Sequence, residues 1–548
     1  MSAFAELGVS PVIAEAKPRP RFEGQYLWLL VAILALAALV RVGIVGRSCL
    51  WADELFSLAI ATGHSLEHPA ALANPKLGDF VQTDSAVDQE EFRRYLRHDD
   101  PSAGPARVLR AVLLSDTSPP LYYLLLYGWT LLLGTSDVSI RMFSVTCSLA
   151  SFPFLLAIAR RTGGKGAIVP TGILFALSPL AIYYSTEARM YSLLWLCVLA
   201  VTWASLTLHR RGETLTMLAV WVAASASGFL THYFFVFPWL AIAGWLVISP
   251  GRLKRWQLIA SAVVTGVLIL PWYVNLPKSL GAWRVTQEWL NWRPQGFSRL
   301  VAIVDLTTQF FDGRGKYLWP SHRISTIVAL ILFGTVAVVM VGRLRMRLFR
   351  PRQVLLWLPF VAICVGPLVF DFLRHTYTVA VPRYAIAALP AACLLMGVGL
   401  ACLKFRTRVF MLLLIILAWS PNLLSIYRQR SRNREAFREV SRAVSSTGTS
   451  SDLILVHSIP SGVLGIARYA NGPAAMASWV GQLREQLVPE SVRALAAGRK
   501  RIFLVQIHEV GAPAREEDWL RANAVVSRQL QVGAAHIVEF IPRNAETF

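Results

Sequence analysis

Two adjacent carboxylates stand where carboxylates are costly. The stretch Trp51-Ala52-Asp53-Glu54-Leu55-Phe56-Ser57 follows the first long apolar run by a few residues, which puts Asp53 and Glu54 at the lip of a bilayer. An ionisable pair there either reaches water as the ordinary acidic first turn of a helix or is kept for chemistry at the membrane surface. Residue type limits that chemistry. A carboxylate can take the proton of an acceptor hydroxyl, and arginines can hold the phosphate of a lipid-linked donor as charge develops on it. Such a transfer needs no nucleotide site, because the bilayer and the outward loops align the reactants and exclude water.

The elements that must position these residues follow from composition. The chain has 548 residues, 55% of them hydrophobic, and its apolar residues fall in many runs of membrane-spanning length, so the expected fold class is a polytopic α-helical membrane protein. The formal charge of +22 would suggest nucleic acid as a partner of a soluble protein, but the basic residues lie mainly in short connectors between apolar runs, so no nucleic acid is expected. None of the six cysteines has the spacing of a disulfide framework or a zinc site. The basic residues Lys17, Arg19 and Arg21 before the run Leu27 to Val40 resemble a signal peptide, but Arg41 and the bulky exit argue for a retained first helix.

Topology turns on Pro119-Pro120-Leu121-Tyr122-Tyr123 and the residues up to Gly134, a run of about 15 against the roughly 20 needed to cross a hydrocarbon core. If it lies along the outer surface, the clusters Arg160-Arg161, Arg210-Arg211, Arg252/Lys254/Arg255, Arg343 to Arg352 and Lys404 to Arg408 all fall inside. Spans are then expected at about 26–45, 138–159, 166–184, 190–208, 215–231, 233–249, 256–274, 324–342, 354–372, 385–403 and 409–425, eleven in all. The organisation expected is a cytoplasmic tail 1–25, a membrane domain 26–427 with an outward loop 46–118 and a surface helix 119–134, and a soluble extracytoplasmic domain 428–548. Within the loop, Asp88 to Arg97 reads as a short exposed helix with Glu90 paired to Arg94. On this topology Asp53, Glu54, Asp116, Glu187, Arg189, His232, Arg374, Arg383 and Tyr384 share the outward face. Singly, each is most simply a solvated or snorkelling boundary residue.

After Tyr427 the composition becomes that of a small α/β layer. Helix is expected over Arg432 to Ser445, over most of Gly481 to Gly498 and over Glu516 to Asn523, with strands at Leu453 to Val456, Arg501 to Ile507 and His536 to Ile541. Ser461-Gly462-Val463-Leu464-Gly465 lacks the spacing of a phosphate-binding fingerprint, so this layer is expected to be an accessory domain.

The membrane portion, roughly residues 25 to 425, resembles the GT-C superfamily of polyprenyl-phosphate-sugar-dependent glycosyltransferases, in the group of the protein O-mannosyltransferases and the transferase that adds aminoarabinose to lipid A. The resemblance is carried by Trp51-Ala52-Asp53-Glu54, Asp116-Thr117-Ser118-Pro119-Pro120-Leu121-Tyr122-Tyr123, Tyr183-Tyr184-Ser185-Thr186-Glu187-Ala188-Arg189-Met190-Tyr191 and Pro382-Arg383-Tyr384. It implies Asp53 as catalytic base with Glu187 beside it. Glu54, Asp116, Ser118, Tyr184, Arg189, His232, Arg383 and Tyr384 are the expected substrate-binding set, with Glu54, about 100° from Asp53 on a helix, expected either to orient the loop or to bind the acceptor. Many relatives carry His or Lys where Ser118 stands, so either Arg383, Arg189 or another basic residue supplies the charge for the donor phosphate, or the donor differs. The implied function is inverting transfer of a monosaccharide from a polyprenyl phosphate to a hydroxyl of a glycolipid, polysaccharide or protein, outside the bacterial inner membrane. No cofactor is expected beyond the lipid-linked donor, and a divalent metal is left open. The alternative, a flippase for a lipid-linked saccharide, would want charges near the bilayer midplane and broken helices there.

Overall fold

The computed structural model describes residues 22–68, 73–116, 118–212, 214–277, 298–313, 323–428, 435–446, 448–484, 486–508 and 515–543. Residues 1–21 of the expected N-terminal tail and most of the outward segment Asn275 to Arg323 lie outside them, and the last four tail residues already belong to the first helix. The chain runs α1 (Phe22–Val45), α2 (Ala52–Ala61), α3 (Gln89–Arg93), α4 (Pro105–Ser115), α5 (Leu121–Leu133), α6 (Asp137–Gly163), α7 (Lys165–Leu177), α8 (Pro179–Ser185), α9 (Tyr191–Arg211), α10 (Leu215–Phe229), α11 (Val236–Ile248), α12 (Arg255–Tyr273), α13 (Arg299–Asp312), α14 (Arg323–Leu344), α15 (Pro351–Arg374), α16 (Leu389–Ala401) and α17 (Phe405–Tyr427). Seven of these helices are long and apolar enough to cross a membrane, and α7 with α8 makes an eighth as one span bent by 57°. The other three expected spans correspond to the shorter apolar helices Leu215–Phe229, Tyr233–Ile248 and Ile386–Ala401.

The helices alternate direction, so the connectors sort to two ends. At one end the basic clusters meet: Arg161 donates to Thr207 at 2.6 Å, Arg252 N–H to the His209 carbonyl at 3.2 Å, and Arg408 to the Gly166 carbonyl at 3.3 Å. At the other end lie α2, the α8–α9 and α10–α11 turns and the segment from Thr376 to Ala388, which together build the site. α5 has 13 residues, tied at its start by Leu121 N–H to the Leu230 carbonyl at 2.9 Å.

Two buried arginines staple helix ends inside the bundle. The Ser178-Pro179 junction breaks the helix because the residue before proline is pushed out of the α region, and this frees the last carbonyls of α7. Arg41 of α1 donates to two of them, Ala176 at 3.1 Å and Phe175 at 3.2 Å. Arg141 of α6 does the same for the end of α1, reaching the carbonyls of Val45, Ser48 and Cys49 at 2.8 Å each. The bent span and these interior charges are features that sequence reasoning had associated with a transporter; here the bend frees carbonyls and the charges close them.

Beyond the bundle come α18 (Phe437–Ser445), β1 (Asp452–His457), α19 (Pro460–Tyr469), β2 (Ala475–Trp479), α20 (Glu490–Ala496), β3 (Arg501–Gln506), α21 (Arg515–Asn523), β4 (Ala524–Val532) and β5 (Ala535–Pro542). The sheet order is β2-β1-β3-β5-β4, with β1 parallel to β2 and β3, and β5 antiparallel to β3 and β4. β1 is buried on both faces, as a central parallel strand should be. Its Leu453 and Leu455 face a small core of their own with Ile502, Leu504, Val538 and Phe540, while Ile454 and Val456 join the main core of the molecule.

Several sequence expectations need correction. Among the described residues of Gly481 to Gly498 only Glu490–Ala496 is α-helical, because a turn from Val480 to Leu483 precedes it and Pro489 sets its start. Helix α19 and strands β2 and β4 were not expected. β2 reads Ala-Met-Ala-Ser-Trp, without β-branched residues, and β4 is an exposed edge strand carrying Ser527, Arg528 and Gln529. The helix expected as exposed at Asp88 to Arg97 buries Phe92, Tyr95 and Leu96. There Glu90 pairs with Arg93 and Arg97, while Arg94 takes Glu91 at 3.3 Å. That segment docks on the C-terminal layer: Val87 exchanges backbone hydrogen bonds with Met476, and Gln89 donates to the Ala474 carbonyl at 3.0 Å.

Candidate active site

The first turn of α2 has two sides. Glu54, 1% exposed, accepts from Arg141 Nε at 2.7 Å and Nη2 at 2.5 Å, from Ala188 N–H at 2.9 Å and from Trp51 N–H at 3.3 Å. Two carboxylate oxygens offer about four lone-pair sites and a guanidinium five N–H donors, so both members of this pair are saturated. Burial of an ion pair is tolerable only under that condition. Glu54 therefore fastens α2 to α6 and to the α8–α9 turn. Of the two roles expected of it from sequence, orienting the loop or binding the acceptor, its burial and its full set of partners fit the first and correct the second.

Asp53 faces the other way. Its side chain is 28% exposed, and its Oδ2 accepts from Arg383 Nη1 at 3.1 Å. Arg383, 21% exposed, lies in a short 3₁₀ turn, Pro382–Tyr384, and also approaches the face of Tyr384 with its guanidinium carbon 5.4 Å from the ring centre. A buried carboxylate that sequence reasoning missed fixes the segment Thr376 to Val379, just before this turn. Asp371, near the end of α15, accepts from Thr376 Oγ1 at 2.5 Å, Thr378 N–H and Oγ1 at 2.7 Å each, and Val379 N–H at 2.8 Å. Arg374, expected on the same face, is exposed at the end of α15, and the site contacts come from the turn beyond it.

Arg189 completes the cluster from the α8–α9 turn. Its Nη1 reaches Ser57 Oγ at 3.2 Å, Tyr123 Oη at 3.2 Å, Asp116 Oδ2 at 3.4 Å and the Asp53 carbonyl at 3.5 Å. Asp116 ends α4, takes a short hydrogen bond from the Tyr123 hydroxyl and accepts Ser118 N–H at 2.8 Å. Ser118 thus closes the turn between α4 and α5 through its backbone. Ser57 and Tyr123 belong to the cluster but were not among the expected site residues. The signal for Ser57 was its position one helical turn after Asp53, where its hydroxyl bonds the Asp53 carbonyl at 2.9 Å.

The remaining expected residues surround this cluster. Glu187 is buried two residues before Arg189, whose N–H meets its carbonyl at 2.8 Å. Tyr184 stacks edge-on against Tyr183 and Tyr191, and the Tyr191 hydroxyl lies within electrostatic range of Arg383, Arg189, Glu187 and Asp53. Tyr384 packs on Phe234, in the turn that His232 begins. His232 Nδ1 accepts Phe234 N–H at 3.1 Å, which leaves its proton on Nε2. Burial, then the positive charges of Arg189 and Arg383, pushes its pKa down to about 4, so at neutral pH His232 is a hydrogen-bond donor and not a cation. A further acid, Glu67, was not expected. Ser115 holds its backbone beside Asp116, and burial, then the Asp116 charge, pushes its carboxyl up to about 8.

One end of the bundle thus carries a half-exposed carboxylate beside two arginines, backed by a buried and fully paired acid. Residues 117–274 match the family model of dolichyl-phosphate-mannose-protein mannosyltransferases. No curated protein matches the sequence. Among solved structures, the chain is similar to apo ArnT from Cupriavidus metallidurans, with a TM-score of 0.58 at 12% identity over 96% of this chain and 99% of that one. ArnT from the same organism bound to undecaprenyl phosphate gives a TM-score of 0.57 at 13% identity, over 94% and 98% of the two chains. The segment match and the shared fold agree with the motifs: residues 117–274 are similar to the mannosyltransferase family, and the chain has the fold of ArnT.

Proposed function

We propose that this protein is a GT-C glycosyltransferase that moves a monosaccharide from a polyprenyl phosphate to a hydroxyl acceptor at the outer side of the bacterial inner membrane, with inversion at the sugar carbon. The acceptor class is a glycolipid, polysaccharide or protein. A lipid-phosphate donor is supported by the matching family's dolichyl-phosphate chemistry and by the undecaprenyl phosphate bound to ArnT. In the step proposed, a carboxylate oxygen of Asp53 takes the proton of the acceptor hydroxyl as the acceptor's own oxygen attacks the anomeric carbon. The bond from this carbon to the phosphate oxygen breaks, and its electron pair leaves with the lipid phosphate. Arg383 and Arg189 meet that charge, Arg383 with a planar fork suited to two phosphate oxygens at once. Without a cation at position 118, these two arginines are the charged donors that face the base.

The observation that carries this reading is the Asp53–Arg383 contact at 3.1 Å, a half-exposed acid and cation from elements 330 residues apart. Side of the membrane is part of the proposal: loop 46–118 and residues 428–548 lie outside. A reporter active only in the cytoplasm, fused after Phe548, is expected to be silent, and activity there would reverse the orientation. The donor is tested by extracting lipid-linked sugars from cells lacking the protein. A polyprenyl-phosphate monosaccharide is expected to accumulate, and an unchanged lipid-sugar pool would contradict the reading.

A further inference from the structure

Three successive backbone N–H groups lead into α2, and each ends on a side chain. Leu50 donates to Tyr469 Oη at 2.8 Å, Trp51 to Glu54 at 3.3 Å, and Ala52 to Glu435 Oε2 at 2.5 Å. The first N–H groups of a helix have no acceptor within it, and a Ser, Thr, Asp or Asn at the N-cap ordinarily supplies one. Here the N-cap is Trp51, whose indole N–H accepts nothing. Two of the three acceptors come instead from the C-terminal layer, 419 and 383 residues away in sequence.

Glu435 is itself held. Its second oxygen, Oε1, lies 2.9 Å from Nε2 of His508, just beyond β3, so one carboxylate bridges the catalytic helix and the sheet. The same layer grips the start of α6, where Asp137 accepts from Tyr469 Oη at 2.6 Å and from Arg468 Nε at 2.9 Å. A negative group at the positive end of α2 is also favourable for the helix dipole. Asp53 is the next residue after Ala52, so the aim of its side chain depends on how this first turn is pinned. On the inner side Glu54 anchors the turn to the bundle, and on the outer side Glu435 does so.

We propose that Glu435 is a positioning residue for transfer: acting from the C-terminal layer, it caps α2 and fixes where Asp53 points. This rests on the reading of Asp53 as base. Because the Glu54–Arg141 pair still fastens α2 when Glu435 is lost, the fold is expected to survive while the geometry at Asp53 loosens. A displacement of about 1 Å at a reacting group is enough for a large loss of rate.

The test uses the full chain in membranes, with lipid-phosphate sugars isolated from cells lacking the protein as donor and undecaprenyl phosphate as binding probe. Glu435→Ala is expected to lower kcat roughly 10- to 100-fold while the Kd for undecaprenyl phosphate stays within about twofold. Glu435→Gln keeps an oxygen on Ala52 N–H and is expected to recover all but about threefold of kcat. Amide exchange at the start of α2 should speed up in Glu435→Ala and not in Glu435→Gln. Wild-type kcat in Glu435→Ala, or a loss of undecaprenyl phosphate binding in step with activity, would overturn the proposal. If Glu435→Ala does not accumulate, His508→Ala leaves the cap but removes its support: about threefold lower kcat would uphold the proposal and wild-type kcat would overturn it. Asp53→Asn run in parallel separates the two readings. An inactive Asp53→Asn beside a fully active Glu435→Ala sinks only the positioning role, whereas an active Asp53→Asn sinks the base.

Discussion

On one side of the first turn of α2, Glu54 is 1% exposed and has its lone pairs filled by Arg141, Ala188 and Trp51; on the other, Asp53 is 28% exposed and meets Arg383. The residues are adjacent, and on a helix they point about 100° apart. That angle separates two kinds of work. A saturated buried acid cannot take up a proton or change partner without stranding a buried guanidinium, so it holds structure. A half-exposed acid beside a cation has room for a substrate hydroxyl and a phosphate competing for its partner, so it suits chemistry.

Breaking the buried side should give the largest change in stability. Glu54→Ala leaves Arg141 buried without its counter-charge and is expected to cost about 3–5 kcal/mol. Thermal unfolding in detergent reads this as a large drop in melting temperature, and an unchanged melting curve would show that the pair is not the anchor described. Breaking the exposed side should leave stability alone. Arg383→Lys keeps the charge but loses the planar fork, and it is expected to weaken undecaprenyl phosphate binding by about 1–3 kcal/mol. Binding at wild-type strength in Arg383→Ala would remove this arginine from the donor site.

The smallest effect is expected at Glu67, which sharpens the contrast with a third acid. Between its ordinary value of 4.5 and about 8, the unfolded chain releases this proton while the folded chain keeps it, so Glu67 lowers stability as pH rises through that window. Glu67→Gln should therefore transfer normally at pH 7 and melt slightly higher than wild type at pH 8. A lower melting temperature at pH 8 would mean that the folded protein uses the ionised form.

How much of this was legible in the sequence depended on whether a residue's role was local. Asp53, Asp116, Arg189 and Arg383 could be found because each stands at the end of an apolar run, where a charge needs a reason, and because the basic connectors assign all of these ends to one side. The helices themselves were legible for the same reason. The helix angle of about 100° already set Asp53 apart from Glu54 as base; what sequence could not give was the partner that fastens Glu54, Arg141, which lies 87 residues on and carries no mark distinguishing it from any arginine near a helix start. Asp371 was hidden in the same way, as an acid inside an apolar run whose partners are the hydroxyls and backbone N–H groups of a following turn. The contact of Glu435 with Ala52 depends on how the C-terminal layer docks, and no local pattern encodes that. The polar edge strand β4 escaped because its alternation of exposed residues lacks the apolar signal that marks a buried strand.

The most direct measurement is the transfer rate and melting temperature of Asp53→Asn in the same membranes. The substitution keeps size and hydrogen-bonding shape but removes the base. The account expects transfer slowed roughly 10²- to 10⁴-fold, with melting temperature and undecaprenyl phosphate binding close to wild type. Transfer at close to the wild-type rate would contradict it, and would return Asp53 to being no more than the solvated start of a helix.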